Sequence, residues 1–143
     1  MPPEAPSPLR LEVAWEGDLR FEGRCGEQSL VLDAAEKAGP TPVQALAFGL
    51  LGCMAIDVAN ILSRGRQPLV GLRARFEGAR SAVSPKRFTQ IALHFVVEGE
   101  VSPDRVERAL KLSRDTYCSV WHSMRQDIEL TTSVMLTGGQ TRV

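Results

Sequence analysis

The chain is poor in histidine, with two residues among 143, and poor in aromatic side chains, at 6%. Histidine-built zinc sites need more ligands than that, and single-stranded nucleic acid needs more rings to stack on. No C-x-x-C pair occurs, no Gly-rich loop leads into Lys-Ser or Lys-Thr, and no G-x-G-x-x-G follows a strand. The compact metal, phosphate and dinucleotide motifs are therefore missing. A charge excess is missing too: Lys+Arg is 17 and Asp+Glu is 17. That balance argues against a nucleic-acid partner and against a polybasic membrane-surface protein. The opening Met1-Pro2-Pro3-Glu4-Ala5-Pro6 has neither the basic start nor the apolar run of a secretory leader. A cytoplasmic location with reduced thiols is the expectation. The longest apolar run, residues 43–56, carries Gln44 and is followed by Asp57 and Asn60. A membrane span needs about 20 mostly apolar residues, so this run reads as a helix in a soluble core, with no membrane partner.

What is present fits a globular protein: 43% apolar and 24% charged residues. The length suits one domain. A Pro-rich tail is expected at 1–8, a single domain at 9–137 and a short tail at 138–143. Leu9, Leu11, Val13 and Trp15 alternate with polar residues, as do Leu19 and Phe21, so two strands meet around the turn Glu16-Gly17-Asp18. A third strand covers residues 28–33. Thr41-Pro42 is a helix start, and the helix runs to about Arg64, where Gly65 stops it. It is apolar nearly all round, which predicts a central helix with a sheet on one side and something else on the other, a second subunit being the natural candidate. Strands follow over residues 70–76 and 91–97. Ser102-Pro103-Asp104 opens a second helix with the stripe Val106, Ala109, Leu110 and Tyr117. Tyr117-Cys118-Ser119 reads as a break before a short helix, and residues 128–136 form the last strand. The order β-β-β-α-β-β-α-α-β predicts an α+β fold with a largely antiparallel sheet.

Three cysteines remain to be explained. Cys25 shares the alternation of Leu19 and Phe21 and reads as structural. Cys53 sits midway along the apolar helix and Cys118 at the end of the second. A thiol inside a helix is usually an inert small hydrophobe. A metal site from Cys53, Cys118 and His122 matches no compact zinc spacing. His122 otherwise reads as a packing or capping residue and His94 as an exposed strand residue.

Four segments add a resemblance. They are Trp15-Glu16-Gly17-Asp18; Gly39-Pro40-Thr41-Pro42 leading into the helix with Gly52-Cys53; Arg87-Phe88-Thr89-Gln90-Ile91 leading into Leu93-His94-Phe95; and Tyr117-Cys118-Ser119-Val120. From about Trp15 to Leu136 the chain resembles the OsmC/Ohr superfamily of thiol-dependent peroxide reductases, in a less characterised branch. The resemblance implies an intertwined homodimer, no cofactor, a hydroperoxide substrate and a dithiol reductant of lipoyl or thioredoxin type. It makes Cys53 the peroxidatic residue and Cys118 the resolving one. The alternative it leaves open is a dimer on the same scaffold that binds a small or lipid-like molecule.

The nucleophile must be a thiolate, and an ordinary cysteine has a pKa of about 8.5. Cys53 lies more than three turns from Thr41, beyond the reach of the helix N-terminal field. A cation is required. Relatives supply an Arg held by a Glu at the start of the central helix, but here that position is Val43. Arg20, Arg24 and Arg87 are the candidate thiolate-stabilising cations. Asp57, one turn after Cys53, is the candidate anchor for such an Arg.

Overall fold

The computed structural model describes residues 2–138. Met1, and residues 139–143 of the tail expected at 138–143, lie outside the described residues. The chain divides into two compact units, one ending at Leu46 and one beginning at Ala47.

The first unit is an antiparallel sheet of β1 (Glu12–Gly17), β2 (Arg20–Cys25) and β3 (Gln28–Asp33), in that order. The turn between β1 and β2 needs left-handed backbone at Gly17 (φ 107) and Asp18 (φ 47), and the Trp15 indole N–H donates to the Asp18 carbonyl at 2.9 Å. Register puts Trp15 opposite Phe21 and Phe21 opposite Leu32, while Val13 and Leu30 flank Gly23. One face therefore gathers Val13, Trp15, Phe21, Leu30 and Leu32. It is largely open to solvent, with Trp15 67% and Val13 59% exposed.

Asp33 organises the chain after β3. Its carboxylate accepts the backbone N–H groups of Ala35, Lys37 and Ala38, at 2.8, 3.3 and 3.0 Å. Gly39 then passes so close to β3 that a side-chain carbon would lie 2.1 Å from the Val31 carbonyl. Thr41 and Gln44 close a reciprocal cap, each side-chain oxygen accepting the other's backbone N–H. The N–H donors of Ala35 and Ala38 hold the Asp33 carboxyl below its usual pKa, with smaller help from Lys37 and Arg20 and against the opposing effect of burial. A depressed carboxylate stabilises the fold above its unfolded pKa of about 3.9, and that contribution disappears as pH falls through the lower folded value. Asp33→Asn is therefore expected to melt earlier than wild type at pH 7. The gap should close progressively below about pH 4, as followed by circular dichroism.

The second unit holds the core. β4 (Gly71–Arg80), β5 (Phe88–Glu98) and β6 (Glu129–Leu136) form a sheet in that order. β4 and β5 are antiparallel, but β5 and β6 are parallel. A parallel pair needs a long crossover. Residues 99–128 supply it, with α2 (Pro103–Leu112), a π turn (Ser113–Tyr117) and α3 (Ser119–His122). Ile91, Leu93, Phe95 and Val97 alternate inward along β5. They join one core with Leu50, Met54, Val58 and Leu62 of α1 (Pro42–Arg64), Val106, Ala109 and Leu110 of α2, and Trp121 of α3.

Within one chain α1 buries a stripe at every fourth residue, while Phe48 and Ile56 are 67% and 70% exposed. Other features of the helices differ from expectation. The whole helix is also long and apolar enough to cross a membrane by length and composition, which the 43–56 run taken alone was not. Core helices pass the same test. The helix ends at Arg64 as expected, but the left-handed residue beyond it is Arg66 (φ 57), not Gly65. Tyr117 does not extend the α2 stripe, because the π turn rotates it out to 56% exposure.

Candidate thiol site

Two segments of the second unit build the site. On α1, Cys53 lies beside the buried stripe and is itself half-buried, and Asp57 follows one turn later. The other segment leaves α2 through the π turn. Ser113 continues the helix by donating its N–H to the carbonyls of Ala109 and Leu110. The Cys118 N–H then reaches back five residues to the Ser113 carbonyl, at 2.7 Å. One extra residue in a turn shifts every later side chain around the axis. Cys118 leaves the helix with extended backbone (φ −73, ψ 95) and caps α3, its sulfur accepting the Trp121 N–H at 3.3 Å. That is the structural content of the break foreseen at Tyr117-Cys118-Ser119.

Two cysteines far apart in sequence meet in one core: Cys118 is fully buried within it, and Cys53 packs half-buried against it. Both are free thiols. Burial pushes the Cys118 thiol up to about 11, the Trp121 N–H opposes the shift, and Cys53 and the Asp57 charge add to it. No cation acts on Cys118 among these influences.

The remaining candidates fall elsewhere or take other partners. Arg87 donates to the Phe88 carbonyl at 3.1 Å and pairs with Asp127 at 3.8 Å, so a nearby carboxylate and carbonyl occupy its guanidinium. It is not among the groups acting on Cys118. Asp57 makes no ion pair with an Arg among the described residues; it accepts the Ser113 hydroxyl at Oδ2, at 2.7 Å. Arg20 and Arg24 both stand on β2 in the first unit, paired with Glu16 at 3.7 Å and Glu22 at 2.5 Å. Cys25 ends β2, partly exposed. His122 donates its Nε2–H to the Arg114 carbonyl at 2.9 Å and so braces the π turn. His94 bonds the Ser133 hydroxyl across β5 and β6. No group of three or more His, Cys, Asp or Glu is placed to hold a metal among the described residues.

Ser113 was missed by the sequence reading. It is fully buried, and its hydroxyl spends its proton on Asp57. The available signal was its place: after Val106, Ala109 and Leu110, residue 113 is the next inward position of the stripe, where a hydroxyl needs a partner.

Residues 34–133 match the family model described as OsmC-like protein. The chain is 34% identical over 128 residues to Protein YhfA of Escherichia coli K12, covering 87% of this chain and 96% of that one. A hypothetical protein from Aquifex aeolicus shares the fold at a TM-score of 0.86 and 23% identity, covering 94% of this chain and 99% of that one. An organic hydroperoxide resistance protein OsmC from Legionella pneumophila matches at a TM-score of 0.67 and 18% identity, over 92% and 98%. These likenesses below 25% identity establish the α+β fold.

Proposed function

The chain belongs to the OsmC-like protein family, and from that premise we propose that it reduces hydroperoxides with Cys53 and Cys118. One observation supports the reading: two cysteines from distant segments share one core, Cys118 buried within it and Cys53 packed against it. With a pKa of about 11, the Cys118 thiol is ionised in about one molecule in ten thousand at pH 7. Attack therefore falls to Cys53, the more exposed of the pair. Its thiolate takes the terminal peroxide oxygen, the O–O bond breaks, and the alkoxide leaves as the alcohol after taking a proton. Cys53 is then a sulfenic acid. The Cys118 sulfur attacks it, hydroxide leaves as water with the thiol proton, and a disulfide forms. A dithiol returns both thiols by two exchanges and becomes a disulfide itself. We assign this reaction to oxidative-stress defence in the cytoplasm, where dithiol reductants are maintained.

The test is consumption of an alkyl hydroperoxide coupled to dihydrolipoamide or thioredoxin. Steady turnover with one disulfide per chain supports the proposal, and absence of turnover with both reductants removes it. Arg20, Arg24 and Arg87 remain the proposed thiolate-stabilising cations. The one whose replacement by Ala slows alkylation of Cys53 is the one that serves it.

We further propose a homodimer. Two apolar surfaces support it: the exposed Phe48 and Ile56 of α1, and the Val13–Trp15–Phe21–Leu30 face of the first sheet. Exposed apolar patches on one chain often mark an interaction site. Ile56→Glu is expected to shift the protein from dimer to monomer in sedimentation equilibrium. A wild-type protein that sediments as a monomer would sink the idea. A second reading, a ligand-binding dimer with weak peroxidase activity, is favoured by Val43, which makes the start of α1 more apolar. Native mass spectrometry of the purified protein decides it, through a copurified apolar molecule and thiols of ordinary alkylation rate.

A further inference from the structure

The residue that joins the two cysteine-bearing segments is Ser113, and it uses two different groups to do so. Its hydroxyl donates to Asp57, which stands one turn beyond Cys53 on α1. Its carbonyl accepts the Cys118 N–H across the π turn. In an uninterrupted α-helix the Cys118 N–H would bond residue 114 instead, and its side chain would point elsewhere around the axis. The 114 carbonyl is meanwhile occupied by the His122 ring, which keeps the wider turn open.

We propose that Ser113 and Asp57 form a positioning latch that holds Cys118 against Cys53 and so sets how readily the two sulfurs join. The hydrogen bond is fully buried at the serine, and no unsatisfied buried side-chain atom remains among the described residues. A buried hydroxyl deprived of its acceptor must find another or bear the cost of desolvation. Breaking the bond therefore frees the π turn to relax and lets Cys118 leave its partner. The Asp57 charge also raises the Cys118 pKa, in keeping with a carboxylate close to that thiol. The latch acts on the disulfide step, so it deepens the reading of these cysteines as a disulfide-forming pair and rests on it.

The experiment is the thiol–disulfide equilibrium of the full chain with reduced and oxidised dithiothreitol. Two protein thiols become a disulfide while oxidised dithiothreitol takes up both protons and electrons. Ser113→Ala and Asp57→Ala are expected to lower the equilibrium constant at least about tenfold, a rise of about 30 mV in reduction potential for a two-electron couple. Ser113→Thr, which keeps the hydroxyl, and Asp57→Asn, which keeps an acceptor oxygen, are expected to stay within about twofold of wild type. A folded alanine variant with the wild-type equilibrium overturns the latch, as does Ser113→Thr behaving like Ser113→Ala. Should Ser113→Ala fail to fold, the similarly shaped pair Asp57→Asn and Asp57→Leu makes the same comparison. Dithiothreitol exchange uses no peroxide. Shifted variants in a protein inert to hydroperoxides leave the latch standing and remove the peroxidase reading. A protein that turns over peroxide while its variants keep the wild-type equilibrium does the reverse.

Discussion

One equivalent of an alkyl hydroperoxide is expected to leave Cys118→Ser with a lasting sulfenic acid on Cys53, where wild type proceeds to the disulfide. Steady turnover with a dithiol should fall at least about a hundredfold in that variant, while the first peroxide is still reduced. Cys53→Ser should lose the first turnover as well, by about a thousandfold or more, because no other thiol takes its place. The asymmetry follows from position. Cys118 is fully buried and protonated, with a pKa of about 11, so it is a poor first nucleophile toward a peroxide arriving from solvent. A sulfenic acid formed beside it on Cys53 is another matter, since proximity makes up for a small thiolate fraction. Dimedone labelling followed by mass spectrometry reads the sulfenic acid, and rapid-mixing measurement of peroxide loss reads the first turnover. Equal loss of the first turnover in both variants would reverse the assignment of roles.

How legible this was in the sequence depends on the range of the interaction. Alternation placed the strands because a half-buried strand writes its own pattern, and residues 28–33 and 42–64 were bounded correctly from turn and cap residues. The Trp15-Glu16-Gly17-Asp18 and Gly39-Pro40-Thr41-Pro42 segments were legible as motifs, and their physical work was not. The first is a left-handed turn braced by an indole; the second is a close approach to Val31. The parallel pairing of β5 with β6 has no local signature, since it is fixed by a crossover 30 residues long between Glu98 and Glu129. The π turn changes one hydrogen bond, from residue 114 to residue 113, and no residue type announces that. Partner choice is the least legible of all. Asp57 was expected to hold an Arg and holds a Ser; Arg87 was expected near a thiol and pairs with Asp127. Apolar composition likewise says that α1 is to be covered, and not by how many chains.

The largest loss of stability is expected at Phe95. It is the largest fully buried side chain, set in the middle of β5 between Leu93 and Val97, in the same core as Leu50, Met54 and Val58 of α1. Phe95→Ala removes a ring from a site walled on one side by a sheet and on the other by a helix, neither of which can close the gap without moving as a whole. The cost of such a truncation is about 3–5 kcal/mol. That is a large share of the 5–15 kcal/mol by which domains of this kind are usually stable. Phe76 supplies the contrast. Its ring meets Phe88 edge-on at 5.5 Å, but it lies at the partly exposed margin of the same core. Solvent and the flexible neighbouring side chains can fill its place, so Phe76→Ala is expected to cost less, about 1–3 kcal/mol. Urea unfolding followed by tryptophan fluorescence separates the two, since Trp121 reports from inside the core and a pure stability change moves the midpoint without changing the slope. Equal midpoints for the two variants would mean that the sheet and α1 do not clamp Phe95 between them. The account of the core that carries Cys53 and Cys118 would then need a different centre.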